Sequence, residues 1–152
     1  MTQGVDQSPT PATARPTSVP PLIITQDNQF WFDGVREGRL LIQRCADCGT
    51  LRHPPGPACP ACRSFEWDTV ESSRRGTLHS WTVVHKPQDP GFRYPLVVGL
   101  VDLAEGTRLV ADFDGVDASQ LVIDMPVEVV FGEHPHGETL PQLRLPVEEA
   151  DA

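Results

Sequence analysis

Hydrophobic and polar residues alternate in the second half of the chain, within short runs that are separated by Gly, Pro and Asp. Alternation with a period of two is typical of strands that bury one face in a core. We therefore predict five strands, over residues 77–85, 96–103, 107–113, 127–131 and 142–145.

The connections between these runs indicate how the strands follow one another. Ala104, Glu105 and Gly106 predict a tight hairpin between the second and third strands, and residues 117–121 predict one helical turn between the third and fourth. Three strands, a short helix and two more strands form the element order of an OB-fold barrel. We expect residues 66–146 to form this barrel.

Apolar residues follow a different pattern near the start of the chain. Phe30, Trp31 and Val35 predict one broad apolar face on a short helix over residues 27–38, which Gly38 would end. The consecutive Phe30, Trp31 and Phe32 cannot all lie on one face of a helix. At least one of them should therefore contact the neighbouring ribbon or another protein, and Phe30 and Trp31 are our interface candidates.

All four cysteines of the chain lie in two C-x-x-C motifs, and ten residues separate the motifs. Two such turns facing each other supply the four soft ligands that a tetrahedral ion needs, about 2.3 Å from the metal. Zinc in a closed, structural site is the leading interpretation, and a single iron in a redox carrier is the alternative. The predicted metal ligands are Cys45, Cys48, Cys59 and Cys62.

The cysteine motifs complete the predicted fold class, which is mainly β. We expect a helix and a rubredoxin-like zinc ribbon over residues 22–65, followed by the five-stranded OB-fold barrel. Residues 1–21 contain five prolines and few large apolar side chains, which predicts a disordered tail. Residues 147–152 predict an acidic tail.

Composition and charge narrow the class of protein. The sequence has no apolar run of about 18 residues and no leader pattern, and paired cysteines that bind metal suit a reducing compartment, so we expect a cytoplasmic protein without a membrane span. The net charge is −9, and residues 94–152 hold two basic and twelve acidic side chains. This excess of acidic residues argues against nucleic-acid binding, which remains our second hypothesis because ribbons and OB-folds also build such modules.

Several short motifs occur in an order that resembles a known family. They are Phe30-Trp31, the two C-x-x-C motifs, Pro54-Pro55, Gly76-Thr77 followed by residues 80–84, Val101-Asp102-Leu103, and Met125-Pro126-Val127. The chain resembles, over residues 28–146, bacterial and archaeal zinc-ribbon plus OB-fold proteins that accompany thiolase-fold enzymes. It has Arg74 and Asp124 where that family commonly has glycine, and Leu143 where a phenylalanine is expected.

The resemblance implies an accessory subunit, non-catalytic or co-catalytic, of an acyl-CoA lyase or acyltransferase complex, and we assign no catalytic residue to this chain. Such a subunit joins a thiolase-fold partner in a hetero-oligomer and helps it to handle acyl-CoA thioesters at a shared site. The partner that fits best by analogy is a retro-aldolase, a carbon–carbon lyase of steroid side-chain degradation.

CoA carries phosphates and an adenine ring, so a contributing surface should place Lys or Arg beside aromatic residues. The long loop between the first two barrel strands meets this description, although an ordinary solvated loop would look the same. A two-residue period also places His79, Trp81 and His85 on one face of the first barrel strand. The candidates for CoA or partner contact are His79, Trp81, Lys86, Phe92, Arg93 and Tyr94. We expect His134 and His136 to be solvent-exposed.

Overall fold

The computed structural model describes residue 19, residues 21–135 and residues 137–147. The predicted tail over residues 1–21 lies almost wholly outside these residues, and so do His136 and most of the predicted acidic tail. Among the described residues, no helix is long and apolar enough to cross a membrane.

The first part of the chain forms a helix and a small sheet. Helix α1 is Gln29–Arg36, and strands β1 (Leu41–Cys45), β2 (Leu51–Arg52) and β3 (Trp67–Glu71) form an antiparallel sheet in the order β2-β1-β3. The prediction of the helix is confirmed, as is its end, because Gly38 has φ +76° and its N–H donates to the Val35 carbonyl. Strands β2 and β3 were not predicted.

The second part of the chain is the predicted OB-fold barrel. Its strands are β4 (Arg75–Val84), β5 (Leu96–Leu103), β6 (Arg108–Asp112), β7 (Pro126–Glu133) and β8 (Thr139–Arg144), in the sheet order β6-β5-β4-β7-β8. A 3₁₀ turn over Ala118–Gln120 lies between β6 and β7, as expected. A parallel bridge between Phe113 and Leu143 joins the two ends of the sheet and nearly closes the barrel.

One hydrophobic core joins the ribbon to the barrel. Leu40 and Ile42, at β1, are 1% exposed and pack in the same cluster as the barrel residues Leu78, Val101 and Leu143. Gly34 of α1 lies so close to β1 that an added Cβ would be 2.9 Å from the Leu41 side chain. The helix, the ribbon and the barrel therefore hold one another in fixed positions.

A β-bulge in β4 changes which residues face this core. Leu78 pairs with Val101 and Ser80 pairs with Leu100, so that His79 is the extra residue. Leu78 and Trp81 both contact the core, whereas His79 is exposed. The prediction that His79 and Trp81 share a face is therefore wrong, because the bulge interrupts the two-residue period.

Candidate functional site

The four cysteine sulfurs converge at the tip of the ribbon, and all lie within 4.8 Å of one another. The Sγ atoms of Cys45 and Cys62 are 3.5 Å apart, and those of Cys48 and Cys59 are 3.6 Å apart. A tetrahedral ion with ligands at about 2.3 Å would place the sulfurs about 3.8 Å from one another. The cluster therefore fits one four-coordinate metal ion, and all four coordination positions of that ion would be taken by protein.

Both cysteine turns have the same local structure. The N–H of Gly49 donates to the Cys45 carbonyl, and the N–H of Arg63 donates to the Cys59 carbonyl, each at 2.9 Å. Gly49 has φ +75° and Arg63 has φ +66°. The first turn thus has a glycine in the left-handed region, and the second turn needs the same conformation from an arginine.

Hydrogen bonds around the cluster favour thiolates, while the sulfurs repel one another. The backbone N–H groups of Cys62 and Ala61 lower the pKa of the Cys59 thiol to about 6. The N–H of Ser64 acts in the same direction on Cys62, but the sulfurs of Cys48 and Cys45 raise the pKa of Cys62 to about 12. Such a cluster is fully ionised only when a cation lies among the four sulfurs, so binding should release protons.

A cavity of about 320 Å³ lies at the junction of ribbon and barrel. The Trp31 and Phe32 rings form one wall, and their centroids are 4.9 Å apart. His53 also lines the cavity, with its ring centroid 5.8 Å from that of Trp31, and burial lowers its pKa so that it is neutral near pH 7. The rest of the wall is formed by Asn28, Pro54, Pro55, Leu109, Val110, Ala111, Asp112, His134, Leu140 and Pro141.

The two aromatic interface candidates both contact their own chain. The Phe30 ring lies 4.7 Å from that of Trp67 on β3, and Trp31 packs against the shared core. Each nevertheless keeps part of its surface exposed. Contact of Phe30 and Trp31 with another protein stays a prediction.

A small ionic cluster joins the middle of β4 to the adjoining ends of β5 and β6. The Nδ1 of His79 lies 2.9 Å from one carboxylate oxygen of Asp102, and the Arg108 Nε donates to the other oxygen at 2.6 Å. The Arg108 guanidinium is the larger of the two causes that lower the pKa of the Asp102 carboxyl. His79 is thus held by an acidic neighbour, while Trp81, two residues further along β4, packs inward.

The loop after β4 contributes to a second cavity, of about 670 Å³. Phe92 and Arg93 line it, whereas the predicted Lys86 and Tyr94 are not among its lining residues. The Tyr94 hydroxyl instead accepts from the Asp89 N–H at 3.0 Å and braces the loop. The structure therefore separates the four loop candidates into two pairs.

A buried polar network separates the two cavities, and it was not predicted. Asp112 accepts from the Gln142 side-chain amide at 2.9 Å and lies 3.3 Å from the His134 Nε2. The His134 and Asp112 side chains are only 12% and 16% exposed, so the expectation of a solvent-exposed His134 is wrong. Gly132 makes the network possible, because a Cβ at this position would overlap the Gln142 amide. Phe92 packs against the edge of the His134 ring and helps to bury it.

Both the ribbon and the barrel match models of known protein domains. Residues 32–68 match the model of the ChsH2 rubredoxin-like zinc ribbon domain, and residues 69–132 match that of the ChsH2 C-terminal OB-fold domain. The chain is 46% identical over 151 residues to a probable enoyl-CoA hydratase alpha subunit of Thermomonospora curvata, with 98% of this chain and 46% of that protein covered. It is 41% identical over 124 residues to the 3-oxo-4,17-pregnadiene-20-carboxyl-CoA hydratase alpha subunit of Mycobacterium tuberculosis, with 82% and 38% covered.

A solved structure matches over a larger share of its own length. It is a chain of the Ltp2-ChsH2(DUF35) aldolase, with a TM-score of 0.78, 49% identity, and coverage of 84% of this chain and 100% of that one. A shorter match, 36% identical over 89 residues, is to the benzoylsuccinyl-CoA thiolase subunit BbsA of Thauera aromatica, with 59% of this chain and 60% of that protein covered. The chain thus spans less than half the length of both hydratase subunits but all of the aldolase component.

With its four-cysteine ribbon, its five-stranded barrel and these matches, the chain belongs to the ChsH2 (DUF35) family of zinc-ribbon plus OB-fold proteins.

Proposed function

We propose that this chain is an accessory subunit of a thiolase-fold enzyme that acts on acyl-CoA thioesters. The partner would be a retro-aldolase, a carbon–carbon lyase of steroid side-chain degradation, and the two subunits would form a hetero-oligomer in the cytoplasm. The partner would supply the catalytic groups, and this chain would assist assembly and the binding of the CoA substrate.

The observation that carries this proposal is the complete coverage of the aldolase component at 49% identity. The hydratase names belong to proteins of which this chain spans 46% and 38%, so hydratase activity could reside in their remaining part. The BbsA name links a further relative to a thiolase. The match to the aldolase component therefore supports an accessory role more strongly than the matches to hydratase subunits support hydratase activity in this chain.

The chemistry of the described side chains agrees with an accessory role. All four cysteines of the chain lie in the metal cluster, so no thiol remains to act as a nucleophile. In a retro-aldol cleavage, a base removes the proton from the β-hydroxyl, the Cα–Cβ bond breaks to leave a carbonyl, and the thioester enolate takes up a proton. We assign these proton transfers to the partner.

We propose zinc as the metal, in a structural role. When bound, zinc would hold the two cysteine turns together, and Cys45, Cys48, Cys59 and Cys62 would be its ligands. Metal analysis of protein purified without added metal tests this proposal. One zinc per chain is expected, whereas stoichiometric iron in a coloured protein would support the redox-carrier alternative.

We propose that the loop between β4 and β5 contributes to the shared CoA site. Arg93 lines the larger cavity beside Phe92, and Lys86 stands at the start of the loop, so both cations could meet phosphates that the partner holds. The Arg93→Met variant should raise the KM of the complex for acyl-CoA and leave assembly unchanged. Arg75→Met, at the opposite end of β4, is the control.

Reconstitution tests the function directly. The thiolase-fold partner is co-expressed with this chain and given the β-hydroxyacyl-CoA that forms when 3-oxo-4,17-pregnadiene-20-carboxyl-CoA is hydrated. Release of a shorter acyl-CoA, followed by mass spectrometry, should require both chains. Full activity of the partner without this chain would refute the proposal, and so would tight, salt-dependent binding of this chain to single-stranded nucleic acid with no thiolase-fold partner recovered.

A further inference from the structure

The outer face of β4, β5 and β6 carries an apolar row. The strand register aligns Ser80 with Leu100, and Leu100 with Val110. Along β5, buried residues alternate with half-buried ones, so Val98 and Leu100 point away from the core. Val110 is 63% exposed, although it lies in the middle of a regular strand. Such an uncovered apolar row on a sheet commonly marks an interaction surface.

This row leads into the cavity at the junction of ribbon and barrel. Val110 itself lines that cavity, opposite Trp31 and Phe32 of α1. We call the continuous surface the junction groove, which consists of the outward side chains Val98, Leu100 and Val110 and the cavity lined by Trp31, Phe32 and Pro54. It crosses from the barrel to the ribbon and could hold an extended segment.

The junction groove carries few charged groups. No Lys or Arg is among the residues that line the cavity, and its one carboxylate, Asp112, is already engaged by Gln142 and His134. A charged group placed there would lose its hydration without gaining a partner. The groove therefore suits an uncharged occupant and does not suit the polyanionic head of CoA.

Charged clusters that are largely neutralised lie at both ends of the groove. Asp102 and Arg108 form an ion pair at the outer end, and Arg36 pairs with Glu138 and Asp33 beside α1. An apolar centre with a polar, arginine-containing rim is the usual anatomy of a protein–protein interface.

We propose that the junction groove docks an uncharged, extended segment of the thiolase-fold partner subunit. This inference rests on the proposed function and adds the surface through which the assembly forms. A second copy of this chain is a poorer occupant, because each copy carries a net charge of −9 and two copies would repel each other.

Two exposed valines allow a matched test. Val110 lies in the groove and Val122 lies in the loop before β7, and both are 63% exposed. The binding of the purified partner is measured by titration calorimetry for the full chain and for the Val110→Asp and Val122→Asp variants. Val110→Asp should weaken binding by more than about tenfold, because it buries an unpaired charge, whereas Val122→Asp should bind like the wild type. Equal melting temperatures of the three proteins would show that the fold is kept.

The possible results separate the inference from the function on which it rests. If the wild type binds the partner and Val110→Asp binds equally well, or Val122→Asp alone is impaired, the groove is not the docking surface and the accessory function stands. If the wild type binds no thiolase-fold subunit, the proposed function fails and the inference fails with it. A wild-type dimer in sedimentation that Val110→Asp dissociates would show a self-interface and would also overturn the inference.

Photo-cross-linking identifies the occupant itself. With p-benzoylphenylalanine at position 110, the reconstituted complex should give a cross-linked peptide of the thiolase-fold subunit that contains no Asp, Glu, Lys or Arg within about three residues of the attachment point. The same label at position 122 should give no such product. A cross-link to a charged segment would refute the chemistry proposed for the groove.

Discussion

Arg63 adopts a backbone conformation that glycine would adopt at lower cost. Its φ is +66°, in the left-handed region, and its side chain is exposed and forms no ion pair with another described residue. An L-residue other than glycine is less stable in this conformation by about 1–2 kcal/mol. Glycine recovers that energy but also loses about 0.4–1 kcal/mol, because it gives the unfolded chain more freedom. Arg63→Gly should therefore raise the free energy of unfolding by about 0.5–1 kcal/mol.

The first cysteine turn supplies a matched control with the opposite sign. Gly49 occupies the equivalent position with φ +75°, and no atom lies within 4 Å of where a Cβ would be. Gly49→Ala therefore adds backbone strain without a clash and should lower the free energy of unfolding by about 0.5–1 kcal/mol. Gly56 also has open space around it but an ordinary φ, so Gly56→Ala should be neutral or slightly stabilising.

Urea unfolding of the metal-loaded full chain measures all three variants. A shift of the midpoint at unchanged slope reports a change in stability alone. The order of stability should be Arg63→Gly, then wild type, then Gly49→Ala. If Arg63→Gly is no more stable than the wild type, or if Gly49→Ala is as stable as the wild type, backbone strain at these turns does not limit the stability of the ribbon.

Three further changes test other parts of the structure. Removing the metal with a chelator, or the Cys59→Ser substitution, should abolish the fixed ribbon structure, because metal binding supplies on the order of 10 kcal/mol of folding free energy. Loss of the near-ultraviolet circular dichroism of Trp67 would report this change. Glu105→Gln should lower stability by about 1 kcal/mol near pH 7, because Glu105 accepts from the Ser72 hydroxyl and the Ser73 N–H at 2.8 and 2.6 Å. Burial opposes the charged form of Glu105, but its hydrogen bonds lower the pKa of the carboxyl overall. The stabilisation is therefore complete above the ordinary pKa of a glutamate and is lost as the pH falls through the lowered pKa of Glu105. A wild-type stability profile as independent of pH as that of Glu105→Gln would contradict this prediction. Gly132→Ala should cost about 1–2 kcal/mol by displacing Gln142 from Asp112, and the cost should shrink in a Gln142→Ala background, as a double-mutant cycle would measure.

The barrel was predictable because its strands bury alternate residues on one continuous core. The burial of β5 alternates without interruption over all eight residues, and its sequence shows the same period. Strand β3 lacks this signal, since it pairs only with β1 in the ribbon sheet and two of its five residues are half-buried while the others are exposed. Strand β2 has only two residues, which is too short for any period to appear.

The features that escaped prediction depend on residues distant in sequence. The bulge at His79 is set by the pairing of β4 with β5, and the side-chain order of β4 contains no trace of it. The Asp112–His134 contact needs Gln142 and Gly132 from two other strands, while the residues around His134 suggest an exposed turn. By contrast, the departures from the family pattern at Arg74 and Asp124 have a physical meaning, because both residues have positive φ, +62° and +64°, where glycine is favoured.

The closed metal site and the junction groove are mechanically connected, which gives the metal a role in function without any chemistry of its own. Strand β1 leaves the shared core at Ile42 and ends at Cys45, one of the four clustered cysteines, and the segment between the two cysteine turns supplies Pro54 and Pro55 to the groove wall. The Gln43 side chain fixes this segment by accepting from the Arg52 Nε and the Gly56 N–H at 2.8 and 2.9 Å. Because the cysteines hold both ends of the segment, loss of the metal should release one wall of the groove while leaving the barrel wall in place. We therefore expect metal removal to weaken partner binding even though no ligand of the metal lines the groove.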